Sequence, residues 1–184
     1  MYTNYSNQRE FNSMSRVVNW GTLDRQVKAF ENSEGCSSGM AKQAIEILLG
    51  EETLKSAVDY YISGGKPGSE LARFVLWQIH PWSAMKYCYD IYKSEEDIED
   101  KRMAVELLRV VGDRRALEWV GEFLDDPDAG IQIWGVGLLD QLLWSNLVEP
   151  LEAKIFLKRA KKHTNPQVRE TAKFVRKYLK NRKK

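Results

Sequence analysis

Small and apolar residues recur along the chain at helical spacing. Ala44, Ala72, Ala104, Gly135 and Ala172 are each followed three positions later by an apolar residue: Ile47, Val75, Leu107, Leu138 and Val175. The next positions hold Leu48, Leu76, Leu108, Leu139 and Arg176. Steps of three and four put these side chains on one helix face. The small residue leaves room for a neighbouring helix to come close. The intervals between the small residues are 28, 32, 31 and 37. Other amphipathic stretches lie between them, each with apolar residues at helical spacing. They are Arg16 to Phe30 (Val17, Trp20, Leu23, Val27), Glu51 to Ser63 (Leu54, Val58, Tyr61), Pro81 to Lys93 (Met85, Cys88, Tyr92), Asp113 to Leu124 (Ala116, Val120, Phe123) and Leu147 to Lys162 (Leu151, Ile155, Leu157).

Stop signals fall between these stretches. Gly50, Gly64-Gly65, Gly112 and Asn165 follow helical runs, as helix ends favour. Pro67, Pro81, Pro127, Pro150 and Pro166 sit at or near first turns, where a missing N–H costs nothing. No segment alternates with a period of two. The expectation is an all-α chain of about ten helices in five antiparallel pairs, each unit about 30 residues long, stacked as a right-handed α-solenoid. Residues 16–184 then form one domain. Segment 1–15, rich in Asn, Ser and Tyr, reads either as a disordered leader or as a cap on the first pair.

Lys101-Arg102-Met103-Ala104-Val105-Glu106-Leu107-Leu108-Arg109-Val110-Val111-Gly112-Asp113 resembles the second helix of a HEAT repeat and its exit turn. Ala116-Leu117, Phe123-Leu124 and Asp125-Asp126-Pro127-Asp128 look like a first helix closing in that family's Asp-Pro turn, and Pro166 to Ala172 looks like a further repeat start. The resemblance is best over residues 95–180. It implies a HEAT-like fold and, in most members, binding without catalysis.

Composition narrows the chemistry. The chain has 184 residues, 43% apolar and 29% charged, a globular balance for one domain. No run approaches the length of a membrane helix. Met1 to Glu10 lacks the basic and apolar regions of a secretory leader. Two cysteines, Cys36 and Cys88, point to a reducing cytoplasm. Two histidines, His80 and His163, and the absence of Cys-x-x-Cys or His-x-x-x-His spacing argue against a zinc site. Gly64-Gly65-Lys66-Pro67-Gly68-Ser69 is a turn between helices and lacks phosphate-loop spacing. No cofactor motif is present, and with His80 and His163 far apart an acyl-transfer site would have to use one alone, with nothing in the sequence to mark either.

Charge is more informative than its total of +2. Residues 151–184 carry 13 Lys/Arg and 2 Asp/Glu, whereas residues 1–150 carry 15 and 24. The basic end suits a terminal repeat that needs a polar outer face. The acids concentrate in the turns inside the helix pairs: Glu31 and Glu34; Glu95, Glu96, Asp97, Glu99 and Asp100; Asp125, Asp126 and Asp128. Stacking would gather them into a negative ridge that attracts a basic protein. Helix capping explains one or two acids per turn, and five within seven residues exceeds it. The fifth position after each small residue is Leu49, Trp77, Arg109, Asp140 and Lys177, a column expected to face solvent. Trp77 there is either an exposed anchor or packed on Pro81 and Trp82. Trp82, just after a proline, is a second candidate anchor.

The expected function is a non-enzymatic protein-binding module, most concretely an immunity protein that captures a basic toxin or effector through its acidic face, in the cytoplasm and without a cofactor. The alternative partner is nucleic acid, bound by the basic C-terminal repeat. On a HEAT-like solenoid it includes a resemblance to DNA alkylation-repair glycosylases, with Trp77, Trp119, Trp134 and Trp144 around Asp140. An acidic body opposes that second reading.

Overall fold

A computed structural model describes residues 18–29, 37–94 and 97–182. Among them it is all helical. The helices are α1 Trp20–Ala29, α2 Ser37–Leu49, α3 Glu51–Ile62, α4 Ser69–Ile79, α5 Trp82–Lys93, α6 Ile98–Val111, α7 Val120–Asp125, α8 Ala129–Trp144, α9 Lys154–Lys161 and α10 Pro166–Asn181. A 3₁₀ turn, Arg114–Trp119, leads into α7. Segment 1–15, Val17, Phe30, Glu31, Glu34 and Cys36 lie outside the described residues.

Local chemistry sets most of the ends. Asp97, Asp128 and Asn165 each accept a main-chain N–H in the first turn of α6, α8 and α10, satisfying donors that the helix cannot use. Pro166 opens α10, where its fixed φ suits a first turn. His80 closes α4 in the left-handed region, at φ 46°, followed at once by Pro81. The sequence pattern placed the ninth helix from Leu147. The helix begins at Lys154 instead, because the chain from Ser145 to Ala153 turns twice on its own main-chain bonds, among them Leu147 N to Leu142 O and Ala153 N to Glu149 O.

Helices consecutive in sequence pack in pairs: α1 with α2, α3 with α4, α5 with α6, α7 with α8, and α9 with α10. The even-numbered helices also pack one on the next, α2 on α4, α4 on α6, α6 on α8, and α8 on α10. On the other side α3 meets α5, and α7 meets α9. One continuous core results. It runs from Leu54, Val58 and Leu76 through Met85, Leu107, Leu108, Phe123, Leu138 and Leu139 to Val168, Ala172 and Val175. Gly135 is fully inside this core. A Cβ there would lie 2.4 Å from the Cβ of Phe123, so its missing side chain is what lets α7 reach α8.

The small-residue register holds in α6, α8 and α10, holds only at Leu76 in α4 and fails in α2. Ala104, Leu107, Leu108, Gly135, Leu138, Leu139, Ala172 and Val175 are buried, whereas Leu48 and Val75 are exposed. In α2 the inward face is polar, made of Gly39, Gln43 and Glu46. The reason is tertiary. The Glu46 carboxylate accepts the Trp82 and Ser83 main-chain N–H groups at 3.1 and 2.9 Å and the Ser83 hydroxyl at 2.8 Å. It caps α5 from a different helix, whose N-terminal donors and dipole favour an anion. That contact turns α2 so that Ile45, Leu48 and Leu49 face outward.

Candidate partner-binding face

The even-numbered helices carry most of the exposed large apolar side chains. On α4, Leu71 is 66% exposed, Phe74 50% and Trp77 41%, with Val75 beside them. Leu71, Phe74 and Val75 are one turn apart and share a face. The neighbouring α2 adds Ile45 and Leu48. Toward α6 and α8 this surface dips into a cleft of about 290 Å³, lined by Arg73, Phe74, Trp77, Arg109, Val110 and Gln141. Trp77 therefore lines a cleft, and its indole is open to solvent.

Arg109 is held from three sides. Its guanidinium lies 5.2 Å from the Trp134 ring centroid and 3.3 Å from Glu106. A Cβ on Gly137 would come within 2.8 Å of its Cδ, so the side chain lies across bare helix backbone. One heptad earlier the same arrangement recurs: Arg102 crosses Gly130, where a Cβ would meet its Nε at 3.0 Å. Behind the cleft, Glu106 is buried and accepts the Tyr61 hydroxyl at 2.7 Å. Burial and that carboxylate push the Tyr61 hydroxyl well above its ordinary range. Asp140 is half-buried on α8. Burial raises its carboxyl, offset in part by Tyr178 and Arg109, and its Oδ1 has no hydrogen-bond partner.

The acidic positions have varied surroundings. Glu95 and Glu96 lie outside the described residues. Asp97 is exposed and caps α6 by accepting the Glu99 N–H. Glu99 pairs with Arg102. Asp128 is bound by the same arginine through two nitrogens, at 2.9 and 2.6 Å, and accepts the Ile131 N–H at 3.0 Å. Those Arg102 bonds hold its carboxyl at about 2, below the usual carboxylate range. Asp125 pairs with Arg159, and Asp126 accepts the Tyr92 hydroxyl at 3.1 Å. Asp100 and Asp59 line a cavity of about 220 Å³ together with Ile62, Ser63, Tyr87 and Ile91, and Asp59 accepts the Tyr87 hydroxyl at 2.9 Å. Of the six described acids in this set, five are thus engaged within the fold, Asp97 by its cap alone, and Asp97 and Asp100 have no Lys or Arg partner among the described residues.

Trp82 does not line the cleft. It stacks on Trp119 with centroids 5.7 Å apart, and the Arg115 guanidinium lies 4.9 Å from its ring centroid. Trp119 is itself buried against Tyr89 at 4.5 Å. Of the four tryptophans named with Asp140, Trp119 is in the core, Trp77 and Trp134 adjoin Arg109, and Trp144 packs on Tyr178. The sequence reading expected Leu49 and Trp77 to face solvent and missed the exposure of Leu48 and Val75, which it placed on the packed face. The signal available was the run Leu71 to Ile79, which has too many apolar residues for one buried stripe.

Among the described residues, no group of three or more His, Cys, Asp or Glu side chains is arranged to hold a metal ion, and no helix is long and apolar enough to cross a membrane. Comparison with protein-family models, with curated protein sequences and with solved structures finds no match to this chain.

Proposed function

We propose that the chain is a non-enzymatic protein-binding module. In this reading its helix pairs stack as a HEAT-like right-handed solenoid, and α2 and α4 form the docking face. The observation that carries the proposal is the apolar surface on α4 and α2: Leu71, Phe74, Val75, Ile45 and Leu48 stand outside the core beside a cleft with an aromatic wall and two arginines. Contiguous exposed apolar surface bordered by polar groups marks interaction sites, and Trp and Arg are enriched among residues that dominate binding energy.

The most concrete form of the proposal is capture of a basic toxin or effector. Its support is that Asp59 and Asp100 line one cavity with Ile62, Tyr87 and Ile91, suited to the stem and head of a partner's Lys or Arg, with Asp97 nearby in sequence.

The test is affinity purification from the native source, followed by measured binding of the recovered protein to variants. Leu71→Ser with Phe74→Ala should weaken binding by about a hundredfold, as loss of two apolar anchors implies, with an unchanged melting curve. Asp59→Asn with Asp100→Asn should slow association and flatten its salt dependence. Unchanged binding by the first variant removes the protein-binding reading. An acidic partner removes the toxin-capture form and leaves the docking face standing.

A further inference from the structure

The far end of the molecule differs from the α2–α4 face. Between Lys154 and Arg182 there are eleven Lys/Arg and one acid, Glu170. Among the described residues, Arg159 is the one of these cations paired with a carboxylate, that of Asp125. Arg169 and Arg182 donate to main-chain carbonyls, Arg169 to His163 O and Thr164 O, Arg182 to Leu143 O. Lys173, Arg176, Lys177 and Lys180 have no ion pair among the described residues.

Aromatic rings stand among these cations. The spacing of Phe174 and Tyr178 suits a core stripe, and the structure departs from that. The buried stripe of α10 is Val168, Ala172 and Val175, which leaves Phe174 57% exposed and Trp144, at the end of α8, 60% exposed. Tyr178 joins them, with its ring centroid 5.5 Å from Trp144 and 5.7 Å from Phe174, both steeply tilted to it. Lys177 follows Phe174 by one turn, Lys173 precedes it, and Arg182 follows Tyr178 by one turn. Capping a terminal repeat requires lysines and gives no reason for two open rings. Helix-dipole compensation explains cations in the last turn, and does not explain Lys173 or Arg169 nearer the start of α10.

We infer that the α8–α10 end binds single-stranded nucleic acid, with Trp144 and Phe174 as base-stacking platforms and the lysines of α10 along the phosphate path. Open π-faces set among unpaired cations are what a flexible strand with splayed bases requires. A duplex hides its base faces and can use only the cations. This surface is separate from the α2–α4 face, so the two proposals fail independently.

The experiment is fluorescence anisotropy on the full chain with a labelled 20-mer of dT, the matching dA·dT duplex, heparin and poly-glutamate, at 50 and 200 mM salt. The single strand is expected to bind more tightly than the other three. For four phosphate contacts its affinity should fall about fiftyfold between the two salt concentrations. Trp144→Ala and Phe174→Ala should each weaken dT binding about tenfold and leave heparin binding and the melting curve unchanged. Lys173→Glu with Lys177→Glu should weaken both ligands. The proposal is overturned if dT does not bind at 50 mM salt, if the duplex, heparin or poly-glutamate binds as tightly as dT, or if both aromatic variants bind like the parent chain.

Discussion

Replacing Glu46 by leucine separates two accounts of α2 that differ in sign. By hydrophobic pattern alone, a leucine at a position only 9% exposed adds buried apolar surface, worth about 1.5–3 kcal/mol of extra stability. By the contacts, the substitution removes an anion that accepts three hydrogen bonds at the start of α5. The Trp82 and Ser83 N–H groups are left without an acceptor. Loss of a helix cap costs about 0.5–2 kcal/mol, and the charged character of the acceptor adds about 1 kcal/mol through the dipole. An unsatisfied, partly buried donor adds about 1–3 kcal/mol. Even after the leucine's gain in burial, the balance is a loss of about 1–3 kcal/mol. For a domain of this size that lowers Tm by roughly 3–10 °C. Urea unfolding followed by circular dichroism measures it, with Glu46→Gln as the companion variant. Glutamine keeps one acceptor oxygen and should lose about half as much. A leucine variant as stable as the parent, or more so, would refute the idea that this carboxylate sets the rotation of α2.

Further outcomes follow from the other contacts. Asp128 is held near 2 by Arg102, below its ordinary 3.8. Its contribution is complete above about pH 4 and is lost as pH falls toward 2, and it amounts to about 2 kcal/mol. Stability curves at pH 5 and pH 2.5 should therefore differ less in Asp128→Asn than in the parent. Gly135→Ala places a methyl group on Phe123 and should destabilise by about 2–3 kcal/mol, read as a lower urea midpoint with an unchanged slope. Tyr61→Phe leaves the buried Glu106 without its hydroxyl donor and should cost about 1–3 kcal/mol, again read by urea unfolding.

Much of the fold was legible from period alone. The all-helical class and most helix limits follow from apolar residues at steps of three and four, bounded by Gly, Pro and Asx caps. In α6, α8 and α10 the small-residue register predicts which side chains are buried, whereas in α4, which also lies between two even-numbered helices, only Leu76 is fully buried. The candidate surfaces were less legible. The column of Trp77 and Arg109 is expected to face solvent, and the cleft that they share appears only in the tertiary structure. The acids were read as a free ridge, and a sequence shows no partner for them: Arg102 lies 26 residues from Asp128 and Arg159 lies 34 from Asp125.

What the amino-acid sequence determined by itself is therefore local: helical class, helix ends, and the separation of an acidic body from a basic end. The tertiary structure decided which face each helix presents. Glu46 reaches a helix 36 residues away and turns α2 over. Gly130 and Gly137 become seats for arginines only because α6 lies alongside α8. Phe174 becomes an open ring because Val168, Ala172 and Val175 already fill the contact with α8. Periodicity describes a helix relative to its own axis. Rotation about that axis is set by long-range capping, ion pairing and packing, which depend on neighbours that the period does not name.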